Sequence, residues 1–152
     1  MEYDAVLFDL FGTLVDDEGR AIDGAIEMLA RLAQSRTAIV TSCSRRLALG
    51  LLTHAQLPNP QVLVAGDDVA ANKPAPDGYL AAARSLQVAP ERCLVVEDSR
   101  QGIAAGRAAG MDVAAILRGR TSVFAAAATH LVADLRALDE MLVLEGTLRI
   151  RS

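Results

Sequence analysis

Apolar residues in this chain fall into two alternating textures: short unbroken runs, and longer stretches in which they recur every three or four positions. The unbroken runs lie at residues 4–10 (DAVLFDL), 37–42 (TAIVTS), 61–66 (QVLVAG), 92–98 (RCLVVED) and 112–117 (DVAAIL). Continuous rather than alternating runs are the mark of strands covered on both faces. Between them, residues 21–35 carry Ile22, Ile26, Leu29, Leu32 and Ala33 at helical spacing. Residues 44–56, 77–88 and 99–110 read as helices as well. A sixth short strand is expected within 129–135, a helix over 135–144, and a last edge strand within 147–152. Strand–helix alternation on this scale predicts a Rossmann-like, three-layer α/β/α sandwich around a mostly parallel sheet. The length of 152 residues suggests a single domain over 1–152. No internal repeat, low-complexity tract or linker interrupts it.

Composition narrows the class. With 52% hydrophobic but only 3% aromatic residues, the core must be built from Ala, Val and Leu. A net charge of -4 argues against a nucleic-acid surface or a polybasic membrane patch. No apolar run reaches the ~18 residues of a membrane span. The N-terminus opens with Glu2 and Asp4 and has no basic region, unlike a signal peptide. Cys43 and Cys93 follow no metal-ligand spacing and read as reduced, buried thiols in a cytoplasmic protein, a single disulfide remaining an alternative.

In parallel α/β folds ligands gather at the carboxyl ends of the strands. There the first strand offers Asp9 with Gly12 and Thr13, the second Thr41 and Ser42, the loop after the third Lys73, and the fourth Glu97 and Asp98. Carboxylates, one ammonium and hydroxyl donors are the parts of a magnesium-assisted phosphoryl-transfer site. Hard oxygens hold the metal, metal and lysine neutralise phosphoryl oxygens, and a carboxylate can be the covalent nucleophile.

Four stretches, in order, resemble the motifs of the haloacid dehalogenase (HAD) superfamily: FDLFGTLVD, AIVTSCS, NKPAPDGYL and CLVVEDSRQGIAAGRAAG. Together with GDDVAANKPAPDGYL, they look most like its sugar- and polyol-phosphate phosphatase branch. The resemblance implies that Asp9 is the nucleophile that forms an aspartyl-phosphate and that Thr41 or Ser42 binds the phosphate. It implies that Lys73 bridges nucleophile and phosphate, and that Asp98, helped by Glu97, binds Mg2+. Ser99 and Gly102 match the turn that opens the next helix.

Two departures from that pattern stand out. Phe11 occupies the position of the acid that, in the family's phosphatases, protonates the leaving group and then activates water. General acid–base help is worth ~10²–10⁴ in rate, about 3–5 kcal/mol. The family's metal is held by the backbone carbonyl at this position, which Phe11 keeps, so metal binding is expected to survive while proton transfer suffers. The second departure is length. Relatives usually insert a helical cap between the first and second motifs, and here the connecting loop is only about residues 16–21. The expectation is an open, capless site for a phosphorylated small molecule or a larger substrate, in a chain able to form a homo-oligomer whose neighbouring subunit serves as lid.

Simpler roles are available to the same residues. Asp9 could end a strand, Glu97 and Asp98 could cap the following helix, and Lys73 could be an ordinary loop lysine. Asp16 and Asp17 read as loop charges, Asp67 and Asp68 as a turn and cap, Arg45 and Arg46 as a solvated helix face, His54 and His130 as structural, and Gly106 as close helix packing. Three functions follow: a Mg2+-dependent phosphatase with weakened acid–base chemistry, a non-catalytic relative that keeps the fold for binding, and a 2-haloacid dehalogenase.

Overall fold

A computed structural model describes residues 1–144 and 149–151, with the backbone alone at 143 and 144. Its strands are β1 (Glu2–Tyr3), β2 (Ala5–Phe8), β3 (Arg36–Val40), β4 (Val62–Val64), β5 (Cys93–Glu97), β6 (Asp112–Ile116), β7 (His130–Val132) and β8 (Arg149–Ile150). Its helices are α1 (Ala25–Arg31), α2 (Arg45–His54), α3 (Asp77–Leu86), α4 (Arg100–Ala108) and α5 (Leu135–Asp139), the last continued by a π-helical turn over Glu140–Leu144. Six strands form one sheet in the order β4-β3-β2-β5-β6-β7, every pair parallel.

The unbroken apolar runs become its buried strands, and their alternate side chains part to opposite layers. Val6, Phe8 and Ile39 join Met28, Leu52 and Leu135 on the face covered by α1, α2 and α5. Ala5, Leu7, Ala38 and Val40 join Tyr79, Ala82 and Ile103 on the face covered by α3 and α4. The three-layer sandwich expected from the sequence is therefore present. Chain direction across the sheet reverses between β2 and β5, so a crevice opens at their carboxyl ends.

Several boundaries differ from the sequence reading. Helix α1 is seven residues long instead of fifteen: at its start Gly24 turns left-handed (φ 88°) and residues 15–22 are spent on a hairpin, and at its end the helix closes at Leu32, leaving 32–35 as a turn. That hairpin is all that stands between the first strand and α1: Phe11 bridges Val15, Val15 bridges Ala21, and the turn closes with Asp16 N–H donating to the Arg20 carbonyl. No cap domain is inserted there. Strand β1 was not foreseen. It pairs with β8, the described part of the expected edge strand; residues 147, 148 and 152 lie outside the described residues. Among the described residues no helix is long and apolar enough to cross a membrane.

Candidate active site

Asp9 follows β2 directly, and its N–H donates to the Val96 carbonyl, continuing the β2–β5 ladder by one rung. That rung fixes the side chain, 7% exposed, at the crevice floor. Oδ1 lies 2.7 Å from Lys73 Nζ, and Oδ2 accepts from the Thr13 hydroxyl at 3.1 Å. The chain after Asp9 coils tightly: Thr13, Leu14 and Val15 all direct their N–H groups to the Leu10 carbonyl. Gly12 makes the coil possible. It sits at φ 89°, and a Cβ there would lie 2.3 Å from Asp98 Oδ2.

Lys73 enters from the loop before α3. Its ammonium donates to Asp9 Oδ1, to Glu97 Oε1 at 2.7 Å and to the Val40 carbonyl at 2.9 Å, so all three protons are placed. Burial opposes its charge, but the carboxylates of Asp9 and Glu97 outweigh that and hold its pKa above the usual lysine value.

Glu97 ends β5 with no solvent exposure. Oε1 accepts from Lys73 and from the Tyr79 hydroxyl at 2.6 Å; Oε2 faces the Asp98 N–H at 3.3 Å and the Ser99 hydroxyl at 3.5 Å. The space it fills exists because residue 102 is glycine: a Cβ there would stand 1.9 Å from Glu97 Cδ. Ser99, not Glu97 or Asp98, caps α4, accepting from the Gly102 N–H at 3.1 Å. The two acids are thereby released from the capping role.

Asp98 stands 3.3 Å from the Thr13 hydroxyl and 3.7 Å from Arg118, which also donates to the Gly12 carbonyl. Carboxylate oxygens of Asp9, Glu97 and Asp98 lie within 4.8 Å of one another. Against these three acids stand one buried ammonium and, at the rim beside Asp98, the Arg118 guanidinium. The imbalance shows in the protonation equilibria: burial, then repulsion from Asp9, pushes the Glu97 carboxyl well up and raises that of Asp98 to about 6. Asp9 and Asp98 still have oxygens without a cation, which is the donor set a hard divalent ion needs.

The crevice widens into a cleft of about 660 Å³ lined by Asp9, Lys73 and Asp98 below, with Thr41, Ser42 and Phe11 at its sides. The sequence-derived candidates thus converge. Thr41 is buried and its Oγ1 is engaged by Cys43, accepting from the backbone N–H at 3.3 Å; Ser42 is exposed in the cleft. Asp16 closes its own hairpin turn, accepting from the Glu18 and Arg20 N–H groups. Arg45 is held by Asp68 and the Leu63 carbonyl. Gly106 packs against β6, where a Cβ would meet Val113 Cγ2 at 2.7 Å. Cys43 and Cys93 are both free thiols; Cys93 is buried as expected, whereas Cys43 is only partly buried because it lines the cleft. Sequence reasoning missed Tyr79 and Arg118. A tyrosine at a helical core position looks like packing, and an arginine past a strand end gives no local signal.

Comparison with known proteins places this geometry. Hexitol phosphatase A of Escherichia coli (strain K12) is 43% identical over 98 residues, 63% of this chain and 45% of that protein. Fructose-1-phosphate phosphatase YqaB of the same organism is 43% identical over 76 residues, 49% of this chain and 40% of that protein. The chain therefore spans less than half the length of these curated relatives. A HAD family hydrolase from Deinococcus radiodurans R1, solved with bound phosphate and sodium, is 26% identical with a TM-score of 0.84, covering 98% of this chain and 99% of that one. Residues 13–116 match the family described as haloacid dehalogenase-like hydrolase, and the chain belongs to that family.

Proposed function

We propose that the protein is a Mg2+-dependent phosphate-ester hydrolase that acts through an aspartyl-phosphate on Asp9, with residues 1–152 serving as one catalytic core. The observation that carries this reading is a nearly buried carboxylate held between Lys73 and Thr13, with Asp98 beside it and an open cleft above. Hydrogen bonds to both its oxygens fix Asp9 in one rotamer, which aims it at a phosphorus atom entering from the cleft. The Lys73 ammonium neutralises both Asp9 and an incoming phosphoryl oxygen. Glu97, locked by Lys73, Tyr79 and Gly102, positions that ammonium. Thr41 and Ser42 border the place where the phosphoryl group would rest.

Asp9, Asp98 and the Phe11 carbonyl would hold Mg2+, with Glu97 close by; the excess of acid over base at this spot favours a divalent cation. When bound, the ion supplies positive charge to the transferring phosphoryl group. Phe11 has no proton to give, so release of the alcohol and the later attack of water both proceed without a side-chain acid or base at that position. The names of the relatives point to phosphorylated sugars and polyols as one substrate class. The two free thiols support a reducing, cytoplasmic setting.

The test is hydrolysis of p-nitrophenyl phosphate with and without Mg2+, native chain beside Phe11→Asp. Turnover by the native chain that depends on Mg2+ supports the enzyme reading. Turnover by Phe11→Asp alone favours a binding protein that has lost its acid. Absence of turnover in both, with the fold intact, refutes the phosphatase reading.

A further inference from the structure

The cleft above Asp9 has a charged floor and an apolar wall. Phe11 is 49% exposed and Leu47 53% exposed, and both line the cleft with Leu51. Leu47 and Leu51 lie one helical turn apart on α2, so they share a face. The core-facing side of that helix is carried by Ala48 and Leu52. Singly scattered surface leucines are ordinary, but three large apolar side chains around one cleft form a surface for something apolar. Polar groups able to read a polyol are scarce there. Ser99 is occupied with Gly102 and Glu97, and Lys73 with Asp9, Glu97 and Val40. Of the other polar residues lining the cleft, Asp9, Asp98, Thr41 and Ser42 belong to the proposed phosphate and metal site, which leaves Gln101 and the Cys43 thiol among the described residues for the rest of a substrate. Any sugar hydroxyl turned onto this wall would give up water for an apolar surface and gain no partner from it. A phenyl ring loses nothing there and packs against Phe11.

The chemistry converges on the same substrate. With Phe11 in place of an acid, the leaving oxygen departs as an anion. An aliphatic alkoxide is a poor leaving group, about as strong a base as hydroxide. A phenoxide, conjugate acid about 10, leaves far more readily. We infer that the preferred substrate is an aryl phosphate, the phosphate ester of a phenol, its ring held by Phe11, Leu47 and Leu51. This rests on the phosphatase reading above. An Asp9 carboxylate oxygen attacks phosphorus; the phosphorus–aryloxy bond breaks, and the aryloxide leaves with the electron pair and takes a proton from water. Water then attacks the aspartyl-phosphate, the bond from phosphorus to Asp9 breaks, and inorganic phosphate leaves while a proton passes to solvent.

The experiment compares kcat/KM, with Mg2+, for phenyl phosphate, fructose 1-phosphate and acetyl phosphate. The last has a good leaving group without a ring. The expected result is phenyl phosphate ahead of fructose 1-phosphate by ~10² or more, the range of a missing general acid. Leu47→Ala is expected to raise KM for phenyl phosphate about 10-fold more than for acetyl phosphate, the scale of one apolar contact. Leu49→Ala, an exposed leucine of the same helix outside the cleft, leaves the preference as it was. Phe11→Asp narrows the gap by accelerating the sugar ester. A phosphotyrosyl peptide ranked against phenyl phosphate says whether the phenol is protein-borne or free, and either order upholds the aryl class. Fructose 1-phosphate at or above phenyl phosphate overturns the inference and leaves the phosphatase reading standing. So does an equal rise in KM for phenyl and acetyl phosphate in Leu47→Ala. No turnover of any ester by native chain or Phe11→Asp, both folded, refutes the phosphatase reading itself.

Discussion

The two ends of the sheet both bury polar side chains, and they do so differently. At the amino-terminal end, the Tyr3 hydroxyl of β1 lies 2.7 Å from Asp112 Oδ2 at the start of β6 and 2.9 Å from His130 Nε2 at the start of β7. Arg107 completes the group, donating to the Met111 carbonyl at 3.0 Å and the Thr129 hydroxyl at 3.2 Å, with Asp112 at 3.5 Å. One acid is answered by one base and two neutral partners. At the carboxyl-terminal end three acids lie together, with one buried ammonium between Asp9 and Glu97 and only the looser Arg118 guanidinium, 3.7 Å away, beside Asp98. The first network is balanced and ties strands together. The second is held together against its own repulsion, and such strain is found where a site awaits a charged partner.

Breaking the second network at its centre has the largest effect. Asp9→Asn removes the proposed nucleophile, and phosphatase activity is expected to fall by on the order of 10⁴-fold or more, measured as released phosphate, while circular dichroism shows the fold retained. Lys73→Met comes next. It leaves Asp9 and Glu97 facing each other without a cation, expected to cost about 3–5 kcal/mol in denaturant unfolding. Arg107→Met, at the other end, removes a half-exposed partner and should cost under about 1 kcal/mol. Similar losses for the two variants would erase the distinction between the ends.

How much of this contrast lay open in the sequence depends on the range of the signal. The runs AVLF, TAIV and CLVVE announced strands buried on both faces, and the acids and lysine at their carboxyl ends followed from the parallel topology. Burial of Glu97 was not legible, because it depends on Gly102 being five residues on and on Tyr79 reaching across from α3. Nor was the Tyr3–Asp112–His130 cluster, whose members are brought together from 109 and 127 residues apart. His130 read as structural, and the structure gives it that role. Helix α1 was over-long at its start in the sequence reading because Ile22 keeps helical spacing while the backbone at Gly24 does not.

Two smaller effects sharpen the comparison. Asp98→Asn relieves repulsion in the metal-free protein, so Tm should rise by roughly 2–4 °C. Mg2+ should stabilise the native chain in thermal scans and leave this variant unmoved. The least effect is expected from His130. Burial holds its pKa below the ordinary histidine value despite Asp112, so the folded state disfavours the imidazolium. Its contribution to stability is present above the unfolded pKa of about 6.5 and is lost as pH falls through the lower folded value. His130→Gln should flatten that slope in unfolding measured across pH 5–7.

The most direct measurement is the covalent state of Asp9 itself. Because Phe11 cannot activate water, the second step is expected to be slow and the phosphoenzyme to accumulate. The chain would be mixed with phenyl phosphate and Mg2+, quenched in acid and weighed intact, then mapped by peptide. The account predicts one added phosphoryl group, on the peptide containing Asp9, absent without Mg2+ and absent in Asp9→Asn. Hydrolysis with no trapped phosphoryl group at any quench time, or with the group on another residue, would contradict it.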